Sequence, residues 1–303
     1  MSKIPRNMAA SVRDRLLNIA KQEKLNYDFI LLMFMQERFL YRLSISDYKD
    51  IFILKGGLII LSALNIKTRP TRDIDFLARN VSNDLEKSRI IFKEIAEIDI
   101  NDGVKYDPES VEVERITEGA DYNGIRVKVK AYIGSAKKNL QIDLGFGDTV
   151  VPDEILINYP GLLDFDPPNI KVYPLETVIA EKFESILSLS LINSRMKDFY
   201  DIYILSKEKN FSGEILFEAI KATLNNRKTN VKEKHPVFGE QFAEDEDRNN
   251  MWQNYIKKIG KKPFDFNKVM MRLKKFLLPI YNSILDNAEF SGDWNREKGI
   301  WEN

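Results

Sequence analysis

Residues 51–76 contain the pattern that most restricts how this chain can fold. An apolar run ends at Lys55-Gly56-Gly57, and a second apolar run, residues 58–64, follows immediately. Glycine interrupts regular structure, so the pattern predicts a strand, a glycine turn and a helix in succession. Glycine also leaves backbone N–H groups uncovered at the start of that helix, where phosphate binds favourably.

Two aspartates follow in a short predicted strand, Asp73-Ile74-Asp75. Side chains alternate between the two faces of a strand, so Asp73 and Asp75 are expected to point the same way. Neighbouring carboxylates repel, and one of them holds a proton unless a cation lies between them. Carboxylate oxygens are hard ligands that suit Mg²⁺. A phosphate-binding turn beside a metal-binding pair predicts nucleotide chemistry.

A third aspartate lies in the middle of a later predicted strand, Leu140 to Leu144. Asp143 has an apolar neighbour on each side, and burying a carboxylate is costly unless it is paired or bound to a metal. One reading is an edge strand with Asp143 facing water. Because two metal-binding carboxylates are already predicted, we favour Asp143 as a third ligand on a neighbouring strand.

The predicted strand before it carries three cations on one face. Along residues 125–133, Arg126, Lys128 and Lys130 alternate with apolar side chains. Such a row is typical of a solvated sheet face, and the alternative is a groove for polyanions. The reversal between this strand and the preceding one, residues 110–117, is predicted at the turn Asp121 to Gly124.

Composition excludes several classes of site. The 303 residues contain 46 Lys plus Arg and 46 Asp plus Glu, so net charge does not indicate a nucleic-acid partner, and any basic surface must be local. There is no Cys and a single His, His235, which rules out disulfides, cysteine–zinc sites and two-histidine zinc motifs. No apolar run approaches the ~20 residues of a membrane span. We therefore expect a cytoplasmic protein.

The remaining pattern divides the chain into two parts. Helices are predicted before the glycine turn, at 11–22 and 27–41, and after the aspartate pair, at 83–98 with Ser82 or Asn83 as cap. The proline-rich stretch 158–174 predicts a domain boundary, and the sequence beyond it reads as helical to the end. We assign residues 1–165 to an α/β domain and residues 166–303 to a helical domain. Later helices are predicted at 175–191, 197–206, 214–224, 250–259 and 266–285.

The helical part supplies a second group of charged residues. Lys182 lies on its first helix, and Arg195, Lys197, Asp198 and Asp201 crowd the start of the next. Charges at a helix start usually serve as caps. If a triphosphate binds nearby, the lysines neutralise phosphate oxygens and an aspartate accepts a proton from an attacking hydroxyl.

The ordered motifs resemble the AbiEii/AbiGii toxin family, nucleotidyltransferase-fold toxins of toxin–antitoxin and phage-defence systems that include the MenT toxins. The match covers roughly residues 50–205. Five elements carry it: Leu54-Lys-Gly-Gly57, Arg69-Pro-Thr-Arg-Asp-Ile-Asp75, Ile142-Asp-Leu144 with Gly147-Asp148, Tyr173-Pro-Leu-Glu-Thr-Val-Ile-Ala-Glu-Lys182, and Asn193-Ser-Arg-Met-Lys-Asp-Phe-Tyr-Asp201.

The resemblance implies a nucleotidyltransferase-like mixed α/β (α+β) sheet flanked by helices, followed by a C-terminal helical domain that completes the active-site cleft. Its implied activity is Mg²⁺-dependent transfer of a nucleotide from a nucleoside triphosphate to RNA, notably the 3′ end of tRNA, with growth or phage propagation inhibited as a result. Mn²⁺ is an alternative metal, and an antitoxin encoded alongside is an implied partner.

Family roles transfer to individual positions of this sequence. The implied catalytic residues are Asp73, Asp75, Lys182 and Asp198, the last as a candidate base, with Asp201 as an additional candidate. The implied metal ligands are Asp73, Asp75 and Asp143. The implied nucleotide-binding residues are Lys55, Gly56, Gly57, Thr71, Arg72, Lys182, Arg195 and Lys197.

One departure from the family pattern concerns residue 57. Family members with Gly-Ser at the turn have a hydroxyl there, whereas Gly57 leaves only backbone donors for phosphate. Two other functions stay open on the sequence: a nucleotide-binding regulatory module without chemistry, and nucleotidyl transfer onto a protein hydroxyl. The three carboxylates argue against the pure binding module, because a binder gains nothing from their mutual repulsion.

Overall fold

A computed structural model describes residues 7–64, 69–118 and 122–302. Within them, the chain forms two compact units. The first runs to Gly147 and takes in Ile155–Val172, and the second comprises Asp148–Glu154 and the chain from Tyr173 onward. The last boundary between the two units, at 172/173, lies within the proline-rich stretch 158–174. None of the described helices is long and apolar enough to span a membrane.

The first unit consists of four helices and seven strands among its described residues. Its helices are α1 Met8–Glu23, α2 Tyr27–Ser44, α3 Gly57–Leu64 and α4 Leu85–Glu97. Its strands are β1 Phe52–Lys55, β2 Asp73–Ala78, β3 Lys105–Glu118, β4 Tyr122–Ile133, β5 Ala136–Phe146, β6 Ile155–Asn158 and β7 Asn169–Val172.

All seven strands form one mixed sheet in the order β3-β4-β5-β2-β1-β7-β6. The pairs β2–β5 and β1–β7 are parallel, and the other pairs are antiparallel. β7 belongs to this sheet because Val172 lies beside Leu54 of β1. The mixed sheet flanked by helices is the predicted fold class.

Alternation along the strands separates an apolar face from a polar one. Phe76 on β2, Leu144 on β5 and Ile125 on β4 are neighbours on the apolar face, and all three are buried. Phe92 of α4 covers this face, with its ring centroid 5.3 Å from that of Phe52. Aromatic burial of this kind supplies much of the hydrophobic free energy of a core. The residues between them therefore face the opposite side, where the predicted site lies.

Two details of the local predictions change. The cap of α4 is Asp84, whose side chain accepts a hydrogen bond from the Lys87 N–H at 2.8 Å, and not Ser82 or Asn83 as predicted. All three side chains suit a cap, but only Asp84 sits three residues before a free helical N–H. In the predicted turn between β3 and β4, Gly124 lies within β4 opposite Ile116, while Asp121 is outside the described residues.

Helix α2 carries a buried charge cluster. Arg38 and Arg42 both donate to the Asp102 carboxylate, at 2.9 and 2.8 Å. Glu37 accepts a hydrogen bond from the Leu162 N–H at 2.7 Å. Burial raises the pKa of Glu37 to about 7, although that N–H and Arg38 oppose the shift. Charges buried this deeply are tolerated because nearly every donor and acceptor has a partner. The cluster therefore connects the loops that contain Asp102 and Leu162 to α2.

The second unit is mainly helical. Its helices are α5 Leu175–Leu189, α6 Met196–Glu208, α7 Gly213–Asn226, α8 Glu240–Glu244, α9 Glu246–Lys258 and α10 Phe266–Leu285. Its strands are β8 Phe211–Ser212, β9 Asp293–Asn295 and β10 Ile300–Glu302, which form a small sheet in the order β10-β9-β8.

The C-terminal strands correct the expectation that the chain is helical to its end. Trp294 on β9 is fully buried, and its ring centroid lies 4.7 Å from that of Phe276 on α10. Trp301 on β10 stacks on the same phenylalanine at 5.6 Å. Strands of two or three residues have no periodicity to detect, so packing of the two tryptophans determines this structure.

Candidate active site

The aspartates of β2 lie on the polar face of the sheet, as their spacing predicts. Asp73 and Asp75 are both half-buried, whereas Ile74 between them is fully buried on the other face. In the parallel pair β2–β5, Asp75 lies directly beside Asp143 and Asp73 beside Gln141. The predicted set of three carboxylates therefore shares one face and spans two neighbouring strands.

A row of charged residues that includes Asp75 and Asp143 crosses five strands of the sheet. Lys55 of β1 is paired with Asp75, Asp75 with Asp143, Asp143 with Arg126 of β4, and Arg126 with Glu114 of β3. Side chains of residues paired in this way lie about 5 Å apart at Cβ and interact directly. The two central carboxylates are thus flanked by a cation on each side, and Asp73 adds a further negative charge.

Asp143 is already engaged by two neighbours. Arg126 donates from Nε to one carboxylate oxygen and from Nη2 to the other, each at 2.8 Å, and Gln141 Nε2 donates at 3.2 Å. This bidentate geometry is the strongest common ion-pair arrangement. It holds the Asp143 carboxylate toward β4. Among the described residues, no group of three or more Asp, Glu or His side chains converges as a metal site.

The glycine turn lies against the aspartates and leaves little room for a side chain. Gly56 has a φ of 73°, and a Cβ there would be 2.2 Å from Asp75 Oδ2. A Cβ on Gly57 would lie 2.6 Å from the Thr71 hydroxyl oxygen and 3.3 Å from Arg69 Nη2. At Gly56 both the positive φ and the contact with Asp75 favour glycine, and a side chain at Gly57 would have to displace the Thr71 hydroxyl. The bare backbone at the start of α3 is therefore built into the same corner as the carboxylates.

The residues just before β2 differ in their exposure and in their contacts. The Thr71 side chain is buried beside Gly57, and it places a hydroxyl where Gly57 itself has none. Arg72 is exposed, and its backbone carbonyl accepts a hydrogen bond from Gln36. Arg69, to which the sequence assigned no role, is a cation next to the turn. It lies within the Arg69-to-Asp75 element, so the motif was visible, but its proximity to Gly57 depends on the folded turn.

The second unit contains a separate cluster in which charges are matched. Lys182 on α5 donates to Asp198 at 2.9 Å and to Asp201 at 2.8 Å, both on α6. Arg195 donates to the other oxygen of Asp198 at 2.8 Å. Both aspartates are 1% exposed, whereas Lys182 is 11% and Arg195 37% exposed. The predicted spacing of Asp198 and Asp201 on one helix face produces this cluster.

The electrostatics of Asp198 bear on its predicted role as a base. Burial alone would raise its pKa, but Lys182 and Arg195 outweigh burial and lower the pKa to about 2. An efficient general base has a pKa nearer the working pH. Asp198 is therefore better suited to holding Lys182 and Arg195 in place than to accepting a proton.

Neighbouring residues fix the surroundings of this cluster. Asn193 is buried and accepts a hydrogen bond from the Arg195 N–H at 2.7 Å, which sets the turn before α6. Lys197 is exposed on the first turn of α6. Asp148, part of the matched Gly147-Asp148 element, pairs with Arg227 at 3.1 Å, so it belongs to a different ion pair of this unit.

The family comparison agrees with the motif analysis. A family model described as nucleotidyl transferase AbiEii toxin, type IV toxin–antitoxin system, matches residues 38–272. The crystal structure of JHP933 from Helicobacter pylori is similar with a TM-score of 0.49 and 14% identity, covering 87% of this chain and 96% of that one. A second H. pylori structure, described as a candidate nucleotidyltransferase, gives 0.48 and 13%, covering 86% and 96%.

A search of curated protein sequences gave no match. The family match alone spans most of the chain, from α2 to α10, and includes both charged clusters. The chain belongs to the AbiEii family of nucleotidyltransferase toxins of type IV toxin–antitoxin systems.

Proposed function

We propose that this enzyme transfers a nucleotide from a nucleoside triphosphate to an RNA hydroxyl, with the 3′ end of tRNA as the expected acceptor. Membership of the AbiEii family implies nucleotidyltransferase activity, a nucleoside triphosphate substrate and a cognate antitoxin. The observation that carries the proposal is the corner where the half-buried Asp73 and Asp75 meet the bare backbone of Gly56 and Gly57.

The residues of this corner fit a divalent metal. Two carboxylates two residues apart on one strand offer hard oxygen ligands, and Asp75 lies too close to Gly56 for any side chain to intervene. Asp73 and Asp75 would hold Mg²⁺ or Mn²⁺. The sequence predicts Asp143 as a third ligand, a role that would require its release from Arg126. When bound, such an ion neutralises phosphate oxygens and favours ionisation of the attacking hydroxyl.

The chain's own groups perform the remaining work. Backbone N–H groups at the start of α3 bind phosphate oxygens, assisted by the Thr71 hydroxyl and by Lys55. Lys182 and Arg195 supply positive charge to phosphate groups, and their orientation is maintained by Asp198 and Asp201. We propose this anchoring role for Asp198, whose pKa of about 2 makes it a weak base.

The reaction is an in-line displacement at the α-phosphorus. The acceptor oxygen forms a bond to the α-phosphorus, the bond from that phosphorus to the α–β bridging oxygen breaks, and pyrophosphate leaves. The hydroxyl proton passes to solvent. Inhibited growth follows if the modified RNA end is one that the cell needs for aminoacylation.

The decisive experiment supplies each α-labelled nucleoside triphosphate with total RNA and, separately, with total protein. We expect label in RNA, stoichiometric pyrophosphate release and dependence on Mg²⁺ or Mn²⁺. Sequencing RNA 3′ ends after brief expression then identifies the acceptor. Label in protein alone would show transfer onto a protein hydroxyl, and nucleotide binding without pyrophosphate release would indicate a binding module.

A further inference from the structure

The catalytic and binding roles implied by the family do not include Arg126. It lies mid-strand on β4, and its side chain points to the same face as the aspartates of β2. Its Nε and Nη2 grip both oxygens of Asp143, and Gln141 adds a third donor to that carboxylate. Asp143 is 15% exposed and Arg126 29% exposed. The carboxylate therefore accepts three hydrogen bonds, and the guanidinium is fixed in one plane.

Only part of the guanidinium is used in this grip. Arginine carries five N–H donors, and two of them point to Asp143. The Nη1 group donates to no residue within the described parts of the chain. An arginine held by a carboxylate along one edge, with the other edge accessible, is pre-organised to bind a phosphate oxygen.

The neighbouring pair on the same strand provides a contrast. Lys128, two residues further along β4 and on the same face, pairs with Glu114 at 2.7 Å through a single contact between side chains that are 42% and 51% exposed. That pair is an ordinary solvated cross-strand contact. The rows of both cations lead to the acid pair, Arg126 through Asp143 to Asp75 and Lys128 through Gln141 to Asp73, so the two cations differ in how they are held and not in their row.

We propose that Arg126 is a substrate-binding residue that donates its Nη1 edge to a phosphate oxygen, and that Asp143 is its positioning residue. The proposal rests on the proposed function, since it requires a phosphate-bearing substrate at this face. The phosphate belongs either to the nucleoside triphosphate or to the RNA acceptor. In this assignment Asp143 acts through Arg126 and not on the metal.

The test compares Arg126→Gln, Arg126→Lys, Asp143→Asn and the double variant Arg126→Gln/Asp143→Asn, with Lys128→Gln as matched control. Binding of each nucleoside triphosphate is measured by equilibrium dialysis with Mg²⁺ and with EDTA, and binding of total tRNA by fluorescence polarisation. Transfer is measured over a Mg²⁺ titration. Urea unfolding checks the fold, and the double variant, which leaves no unpaired carboxylate, replaces Arg126→Gln if that variant is unstable.

We expect Arg126→Gln to weaken one of the two phosphate ligands by roughly tenfold or more, the loss of a charge-assisted hydrogen bond. Weaker nucleotide binding identifies the triphosphate, and weaker tRNA binding identifies the acceptor. Arg126→Lys recovers only part of the affinity, because an ammonium lacks the fork. Asp143→Asn weakens the same ligand without shifting the Mg²⁺ titration, and the double variant binds no more weakly than Arg126→Gln.

The proposal would be overturned if Arg126→Gln bound both the nucleoside triphosphate and tRNA as tightly as Lys128→Gln binds them. A shifted Mg²⁺ requirement in Asp143→Asn, with nucleotide affinity in EDTA unchanged, would make Asp143 a metal ligand and overturn its positioning role. Failure of the proposed function would be a separate result, in which the wild-type chain binds nucleotide but labels no acceptor. The Arg126 variants would then still be compared by their binding of nucleotide and of tRNA.

Discussion

The two charged clusters of this protein use the same residue types for opposite purposes. On the polar face of the first unit, like charges sit side by side and half-exposed: Asp73 and Asp75 on one strand, with Asp143 beside them. In the second unit, Lys182 alternates with two buried aspartates, and every carboxylate there has a cation within 2.9 Å. One arrangement places carboxylates next to one another, and the other alternates cations with carboxylates.

The difference indicates which cluster is suited to bind a cation from solution. Repulsion between adjacent carboxylates is relieved by a bound cation, so the acid pair is configured for a partner from solution. The buried, paired cluster needs no added cation, and its aspartates hold Lys182 and Arg195 in the orientation proposed for phosphate binding. Substitutions in the first cluster should therefore affect activity, and substitutions in the second should also affect stability.

The largest effect is expected for Asp73→Asn. The substitution removes one of the two carboxylates that would hold the metal, and transfer of labelled nucleotide should fall more than ~100-fold. The free energy of unfolding should change little, because relief of the repulsion between Asp73 and Asp75 offsets the lost attraction between Asp73 and Arg126. Unchanged transfer would remove the acid pair from the reaction, and a large loss of stability would contradict the distinction between the clusters.

Removing the central cation of the second cluster should destabilise the fold. Lys182→Met leaves Asp198 and Asp201 buried with too little positive charge, at an expected cost of about 3–5 kcal/mol in urea unfolding. Lys182→Met/Asp198→Asn should lose less than the sum of the single changes. Lys197→Met, at an exposed position on α6, is the control and should leave the unfolding midpoint unchanged.

The same cluster should make stability sensitive to acid. The pKa of Asp198 is lower in the folded chain, about 2, than its ordinary value of 3.8. Its contribution, about 2 kcal/mol, is therefore fully present above pH ~4 and is lost as the pH falls through 2. Asp198→Asn should show a correspondingly flatter decline of unfolding free energy over this range. Parallel curves for both proteins would mean that the aspartate is not held by its cations.

The smallest effect is expected for Lys128→Gln on β4. The lysine and its partner Glu114 are both largely solvated, and such pairs contribute little to stability. Unfolding by urea and binding of tRNA should both match the wild type. Weaker tRNA binding would instead favour the alternative reading of this strand face as a groove for polyanions.

Local patterns were sufficient to predict the corner around the acid pair. The strand, glycine turn and helix formed as expected, and the spacing of Asp73 and Asp75 placed them on one face. Such features depend on residues adjacent in sequence. The same holds for Asp198 and Asp201, which share a helix face because they are three residues apart.

Long-range pairing lay largely beyond the sequence. The cost of burying Asp143 led to its prediction on a strand beside the acid pair, as observed, but nothing in the sequence predicts that Arg126 binds it from the other side. Those neighbours follow from strand order and register, which no local pattern encodes. For the same reason the short strands around Trp294 were missed, since their formation depends on contacts with Phe276.

The parallel pairing of β2 with β5 has a consequence for synthesis of the enzyme. Both aspartates of β2 leave the ribosome early, but the strand beside them is not complete until residue 146 has emerged, and contacts so distant in sequence form slowly. We therefore expect a translation product that stops before residue 136 to be inert. A cell that makes this toxin is exposed to its chemistry only after the chain has been made through the end of β5 at residue 146.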